Sequence, residues 1–287
     1  MLRKKVHHCW WIVISCCIVM ACGLGLLFNC AGIFLVPVSE ALGVGRGPVS
    51  FYLTIMNLTM TLVLPLAGRT LSKKRIERIL FIAYVINYAA FASLALANSI
   101  VHFYIAGVLI GFCGAFSLIM PVPVLINNWF EKKLGVVMGT VLAFSGIGGV
   151  IFNLIGGFII ENFGWRTGYL ALSAIGAALV LPCTLFIIRT KPEDMGLRPY
   201  GAEGDNPRAA VPSPEKPNLP ASGYSIRVIF KTLPVFAAFA FTCTITLAGA
   251  IQNHIPSYGI SLGFTQSTGA MAVSFLMVGI IVCKIGI

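Results

Sequence analysis

Eight apolar runs, each long enough to cross a bilayer as a helix, constrain what this chain can become. They fall at about 10–36, 49–67, 79–97, 102–126, 135–160, 167–188, 233–255 and 267–286, and no Asp, Glu, Lys or Arg lies in the middle of any of them. A helix of about 20 residues spans the roughly 30 Å hydrocarbon core, whereas transmembrane strands would read as alternating segments of about ten residues. The chain is 58% hydrophobic and only 10% charged, far below the roughly 25% charged of soluble domains. The expected class is an all-α membrane protein. The basic N-terminus, Arg3, Lys4 and Lys5, leads into an apolar run without a small-x-small cleavage site at its end, so a retained first helix is expected rather than a signal peptide.

The runs are split unevenly by one polar stretch, Arg189 to Lys231. It holds seven prolines (Pro192, Pro199, Pro207, Pro212, Pro214, Pro217 and Pro220), five acids and seven bases, a composition of extended, solvated linkers. The predicted organisation is a six-helix bundle over 1–188, a linker over 189–231, and two further helices over 232–287. With the N-terminus inside, eighteen of the twenty Lys/Arg residues fall on the inner side and only Arg46 and Arg166 on the outer. That bias predicts a multi-pass protein with both termini cytoplasmic, and it explains the net charge of +11 as a topology signal rather than a nucleic-acid surface. Trp10, Trp11, Trp129 and Trp165 lie near span ends, where such rings favour the interface.

The segment after the first span, Pro37 to Gly43, echoes the segment after the seventh, Pro256 to Gly263, with a one-residue gap and an offset of about 220. It predicts two parallel halves. The polar side chains left at depth are Asn29, Asn57, Asn87, Asn153, Gln252 and Asn253, with Tyr52, Tyr88 and His254 near the edges. Each could line a solute path or simply bond a neighbouring helix. Span five carries Gly139, Gly146, Gly148, Gly149, Gly156 and Gly157; Gly146 and Gly149 share a face suited to close helix approach or gating. Pro121 and Pro123 remove two backbone donors from span four, which predicts a kink, either structural or beside a cavity. His254 is the candidate for proton coupling, since histidine titrates near neutral pH. The nine cysteines sit in or beside apolar runs without paired spacing and read as small core residues. No metal-ligand cluster, nucleophile–base pair or Walker lysine stands out, so neither an enzyme nor a metal or cofactor is expected.

Three further segments carry a resemblance. Asn128-Trp-Phe-Glu-Lys-Lys-Leu-Gly135 follows span four, Gly164-Trp-Arg166 precedes span six, and Lys191-Pro-Glu-Asp-Met-Gly-Leu-Arg-Pro-Tyr-Gly201 opens the linker. On these the chain resembles the major facilitator superfamily, in the group of monocarboxylate and oxalate/formate-type carriers. The resemblance implies twelve spans in two six-helix bundles, of which this chain carries the first bundle and the first two helices of the second. In the loop after span two, Gly68 and Lys73 fit the superfamily pattern, whereas Ser72 stands where an aspartate is usual and Arg75 where a second glycine is. Span eight is uncharged until Lys284, so the base with which such carriers often meet an anion has no counterpart there.

The resemblance implies secondary transport of a small organic solute, a carboxylate by family analogy, across the cell membrane by alternating access, with a coupling ion or counter-substrate as a further partner. A neutral or amphipathic solute is the alternative within transport, and a non-transporting scaffold the alternative outside it. The residues expected to line the path are Asn29, Tyr52, Asn57, Asn153 and Gln252. Asn87 is left out because the superfamily places span three at the periphery. With four spans of the pattern beyond residue 287, the two helices after the linker are expected to form a loosely attached hairpin, and these 287 residues alone are expected not to transport.

Overall fold

The computed structural model describes residues 8–71, 75–201 and 233–286; Ser72, Lys73 and the linker beyond Gly201 lie outside them. The chain forms two compact units, one of Met1–Gly201 with Asn253–Ile287 and one of Ala202–Gln252. In the first, the spans are α1 (His8–Leu42), α2 (Arg46–Leu71), α3 (Ile76–Leu96) and α4 (Ile100–Trp129). A single helical run, Leu134–Ile187, follows. Gly164 breaks it with φ 82° and ψ 163°, giving α5 (134–163) and α6 (165–187). A Cβ on Gly168 would meet Ile160, and one on Gly156 would meet Leu172. Both pairs are centred on Gly164, so α6 folds back along α5. Only glycine adopts that backbone conformation without strain. The second unit contributes α7 (Leu233–Ala250). A 3-10 turn, Ile251–His254, then leads into the short α8 (Ile255–Ser261) and into α9 (Gln266–Gly286).

Lipid-facing helices cannot use the hydrophobic effect to find each other, so close packing and polar contacts hold the bundle. Gly107 and Gly111 of α4 lie against the carbonyl oxygens of Tyr52 and Met56 on α2, and Gly176 of α6 lies against the Tyr88 ring on α3. Tyr88 donates to the Cys22 carbonyl at 3.3 Å, Ser173 to the Tyr88 carbonyl at 2.7 Å, and Tyr84 to the Ser117 carbonyl at 3.1 Å. Asn87, fully buried, donates to Ser117 Oγ at 3.0 Å. These bonds tie α1, α3, α4 and α6 together. Cys9, Cys16, Cys17, Cys22, Cys30, Cys113 and Cys183 are buried, as small core residues should be, while Cys243 is exposed.

The three recognition segments have structural work in common. Asn128 and Trp129 donate to the carbonyls of Thr190 and Arg189, at 3.0 and 2.9 Å. Tyr200 N–H returns to the Trp129 carbonyl at 2.8 Å, and Glu131 N–H reaches the Tyr200 carbonyl at 3.1 Å. Trp10 packs edge-on against both Phe130 and Tyr200. The opening of the proline-rich stretch, residues 189–201, is therefore folded onto the end of the bundle, not solvated coil. Proline content alone suggests otherwise, but the carbonyls of Arg189 and Thr190 find donors at the end of α4 and that of Tyr200 on the α4–α5 connection. In the segment Gly164-Trp-Arg166, Arg166 lies 4.5 Å over the Trp165 ring and donates to the Ala95 and Ala97 carbonyls and to Asn98 Oδ1, at 3.0, 3.1 and 2.8 Å. It closes the C-terminal end of α3, where orphan carbonyls need donors.

The echo between the halves is structural. The 3-10 turns start at Ala31 and Ile251, the short helices after them at Leu35 and Ile255, and the following spans at Arg46 and Gln266. Each lies 220 residues from its counterpart. Gly43 caps the first short helix and Gly263 lies one residue past the cap of the second, both with positive φ, 63° and 88°. The alignment of elements needs no gap; the gap in the sequence match arose because the prolines are one position out of register.

Span eight is not loosely attached. Gly146 of α5 sits against Ile281 and the Met277 carbonyl, Gly149 against the Met277 side chain, and Gly157 against Ala270. Ser274 Oγ reaches the Val150 carbonyl at 3.3 Å. The glycine face of α5 is what lets α9 lie along it. Further along, Glu161 accepts from Ser267 N–H at 3.0 Å, Gln266 Nε2 donates to the Ile33 carbonyl, and Arg46 donates to the Ser257 carbonyl at 3.2 Å.

Candidate functional site

The first span does not run straight. After His8–Met20 its backbone widens to a π-helix over Ala21–Phe28 and turns at Asn29, then tightens to the 3-10 segment Ala31–Phe34. Widened helix turns recur at functional positions, and broken helix at membrane depth is tolerated where protein or water covers it. Three glycines, Gly23, Gly25 and Gly32, remove side chains from this part of α1.

Opposite the break stands the middle of α5. Asn29 Nδ2 donates to the Ser145 carbonyl at 3.1 Å. Asn153 Nδ2 donates to the Asn29 carbonyl at 3.2 Å and to the Gly149 carbonyl at 2.7 Å. Asn153 is buried, and its Oδ1 has no partner among the described residues. A Cβ on Gly149 would come within 3.3 Å of Asn29 Nδ2 and 2.9 Å of Met277 Sδ. Two asparagines thus meet where α1, α5 and α9 converge, and an unsatisfied amide oxygen remains in the middle of an apolar bundle. Leaving such a group unpaired costs about 1–3 kcal/mol, which a bound solute donor would offset.

The structure brings Asn29, Asn153, Gly146 and Gly149 to this junction. Tyr52 is buried elsewhere, its ring 5.8 Å from that of Phe103 in a cluster that includes Trp165 and Tyr169. Asn57 is exposed and donates to its own helix at the Leu53 carbonyl. Gln252 lies in the second compact unit, half-buried. His254 is exposed at the N-cap of α8. Pro121 begins the α-helical segment Pro121–Trp129, one residue after a π-helical turn, Ala115–Ile119. Asn87 and Ser117, omitted from the predicted path, form a buried pair between α3 and α4; nothing in the periodicity of either span distinguishes them from ordinary interhelical contacts. Among the described residues no group of three His, Cys, Asp or Glu could hold a metal.

The sequence profile of the Major Facilitator Superfamily matches residues 12–286. The chain belongs to that superfamily. The match runs from the first span through α9. Mouse monocarboxylate transporter 12 is 24% identical over 290 aligned positions, covering 93% of this chain and 57% of its own length. An uncharacterised MFS-type transporter of Bacillus subtilis, YcxA, is 23% identical over 184 residues, 63% of this chain and 45% of its own. The probable transporter MCH2 of Saccharomyces cerevisiae is 27% identical over 173 residues, 60% of this chain and 33% of its own. The chain spans about half the length of the first two of these relatives.

Proposed function

We propose that this superfamily member belongs to a secondary transporter that moves a small organic solute across the cell membrane by alternating access, with both termini cytoplasmic. The observation that carries the reading is the Asn29–Asn153 node at the break in α1. Amide donors and an unsatisfied amide oxygen are held there by α1 and α5 beside α9, a helix of the repeat hairpin. Carriers of this architecture place solutes near the midplane between repeats.

A hydroxy carboxylate is the solute we favour, because both asparagine Nδ2 groups already donate within the protein and the group left to satisfy is the acceptor Asn153 Oδ1, to which the solute's hydroxyl can donate. The name of the mouse relative points the same way. The second reading, a neutral or amphipathic solute, is favoured by the make-up of the node, where Asn29, Ser145 and Asn153 are all uncharged. His254 is proposed to couple protons, and Pro121, Pro123, Gly146 and Gly149 to supply the bend and the sliding surface.

Counterflow in proteoliposomes tests this, using the chain beside a version extended by four further spans. Labelled lactate should exchange saturably in the extended version, and Asn153→Leu should raise the half-saturation concentration roughly tenfold, as expected for losing one or two membrane hydrogen bonds. Preferential competition by lactamide would select the neutral solute. Absence of counterflow for both compounds, from protein shown to be folded, would count against transport of either.

A further inference from the structure

A second site lies where α3 and α6 end, away from the asparagine node. A cavity of about 390 Å³ is lined by Arg75, Glu77, Arg78, Arg189 and, deeper along the spans, Phe81, Ile82 and Leu185. Its size is at the small end of the roughly 300–1,000 Å³ usual for ligand pockets. The local helices explain how it forms. Arg75, Arg78 and Ile82 lie three and seven residues apart at the start of α3 and so share one face. Leu185 and Arg189, four apart, meet that face from the end of α6.

The charge balance favours an anion. Glu77 is buried and accepts from Thr190 Oγ1, which itself accepts from Ile76 N–H at 2.8 Å. That carboxylate is committed to holding the two helix ends together. Arg189 donates to the carbonyls of Leu185 and Ile188, at 3.2 and 2.9 Å, which fixes its guanidinium at the rim. Arg75 and Arg78 are exposed, and among the described residues neither has a hydrogen-bond or ion-pair partner in the protein. Three guanidiniums against one carboxylate leave a net positive site. Arg75, as N-cap of α3, makes no side-chain capping bond, and the positive end of the helix dipole adds to the field there.

The same cavity is amphipathic along the membrane normal. Arg75 immediately precedes the spanning run Ile76–Leu96, and Arg189 follows two residues after Ile187. The apolar wall formed by Ile82 and Leu185, with Phe186 beside it, is exposed and faces outward from the bundle. A soluble anion would use only the rim. A ligand with a phosphate at the level of the arginines and acyl chains along Ile82 and Leu185 would use all of it.

We infer that this cavity is a binding site for an acidic phospholipid, whose phosphate is held by Arg75, Arg78 and Arg189 and whose acyl chains lie on Phe81, Ile82 and Leu185. Occupation would brace the ends of α3 and α6 against each other through the same corner that Glu77 and Thr190 already join.

The test uses the full chain in detergent, with the thermal midpoint read during titration by phosphatidylglycerol, phosphatidylcholine, glycerol phosphate or inorganic phosphate. Phosphatidylglycerol should raise the midpoint saturably and phosphatidylcholine should not. The double variant Arg75→Gln/Arg78→Gln, at two exposed side chains, should keep its midpoint without lipid and bind phosphatidylglycerol about thirtyfold more weakly, the loss expected for removing two interfacial arginines. Ile82→Ser should weaken phosphatidylglycerol but leave the glycerol phosphate response unchanged. Equal stabilisation by both lipids, or an unchanged response in the double variant, overturns the site. Arginine-dependent stabilisation by inorganic or glycerol phosphate as strong as that by phosphatidylglycerol makes it a free-anion site and overturns the lipid assignment.

Discussion

Replacing Gly148 by alanine should destabilise the bundle by about 1–3 kcal/mol, and the sign follows from which atoms the new methyl would meet. Its Cβ would lie against the Ala21 carbonyl oxygen, with Ala21 C and Cα each at 2.6 Å; a Cβ on Gly25, across the same contact, would lie 2.8 Å from Gly148 Cα and 2.9 Å from Gly149 N. These are backbone atoms of two helices, so no rotamer change relieves them. Carbon atoms prefer roughly 3.5–4.0 Å, so α1 and α5 must part by about 1 Å. Overpacking of this kind costs about 1–3 kcal/mol. The same movement stretches the Asn29–Ser145 and Asn153–Asn29 hydrogen bonds, now 3.1 and 3.2 Å, beyond useful length. Each such bond contributes about 0.6 kcal/mol in membranes. Against this, alanine gains about 1 kcal/mol over glycine in a helix interior.

The assay is an SDS or thermal unfolding midpoint of the purified protein, with Gly279→Ala as the matched control. Gly279 is also mid-helix, but a Cβ there meets nothing within 4 Å, so only the propensity gain applies and its midpoint should hold or rise. Gly25→Ala should lower the midpoint as Gly148→Ala does. The double variant should fall short of the sum, because one separation of the helices relieves both clashes. A Gly148→Ala protein at least as stable as Gly279→Ala would refute the close-approach argument.

Arg166→Lys keeps the charge but loses the planar fork that spans three acceptors, so its unfolding midpoint should fall nearly as far as that of Arg166→Ala, a loss of about 1–3 kcal/mol. Tyr200→Ala removes the ring that packs on Trp10 and Phe130; a Glu-specific protease should then cut after the exposed Glu193 several times faster, and an unchanged rate would show that 189–201 is not held by that contact. On a cysteine-free background, single cysteines at Ser72 and Asn206 should react with impermeant maleimide only from the cytoplasmic side, and labelling of either in intact cells would reverse the topology.

Span positions were legible because insertion into a bilayer demands long apolar runs, and that demand is written into composition. The break in α1 was less so. Nothing between Met20 and Phe34 is a proline; glycines and small residues permit a π-helical turn without requiring one, and the turn is selected by how closely Gly148 and Gly149 approach. Asn29 and Asn153 were visible as polar groups at depth, but Asn57 looked equivalent in sequence and is exposed in the structure. The difference lies in helix rotation, which an almost uniformly apolar run does not encode. Arg75, Arg78 and Arg189 could be counted as topology signals, yet their convergence is tertiary: Arg189 is more than a hundred residues from the other two.

The repeat also shows what the two halves do not share. At an offset of 220, the turn at Ala31 maps onto Ile251 and the span start at Arg46 onto Gln266, so the backbone of one hairpin is used twice. The side chains at the node are not. Asn29 maps onto Gly249, which carries no hydrogen-bonding side chain, and Arg46 maps onto Gln266, a charge onto a neutral amide. Yet both Arg46 and Gln266 donate to a backbone carbonyl of the opposite hairpin, Arg46 to Ser257 and Gln266 to Ile33. Backbone acceptors survive sequence divergence because every residue supplies one. The reciprocal contacts can therefore persist while the polar groups at the node diverge. Such a division lets a repeated scaffold keep its closing contacts while the paired asparagine side chains of the node stand on α1 and α5 alone.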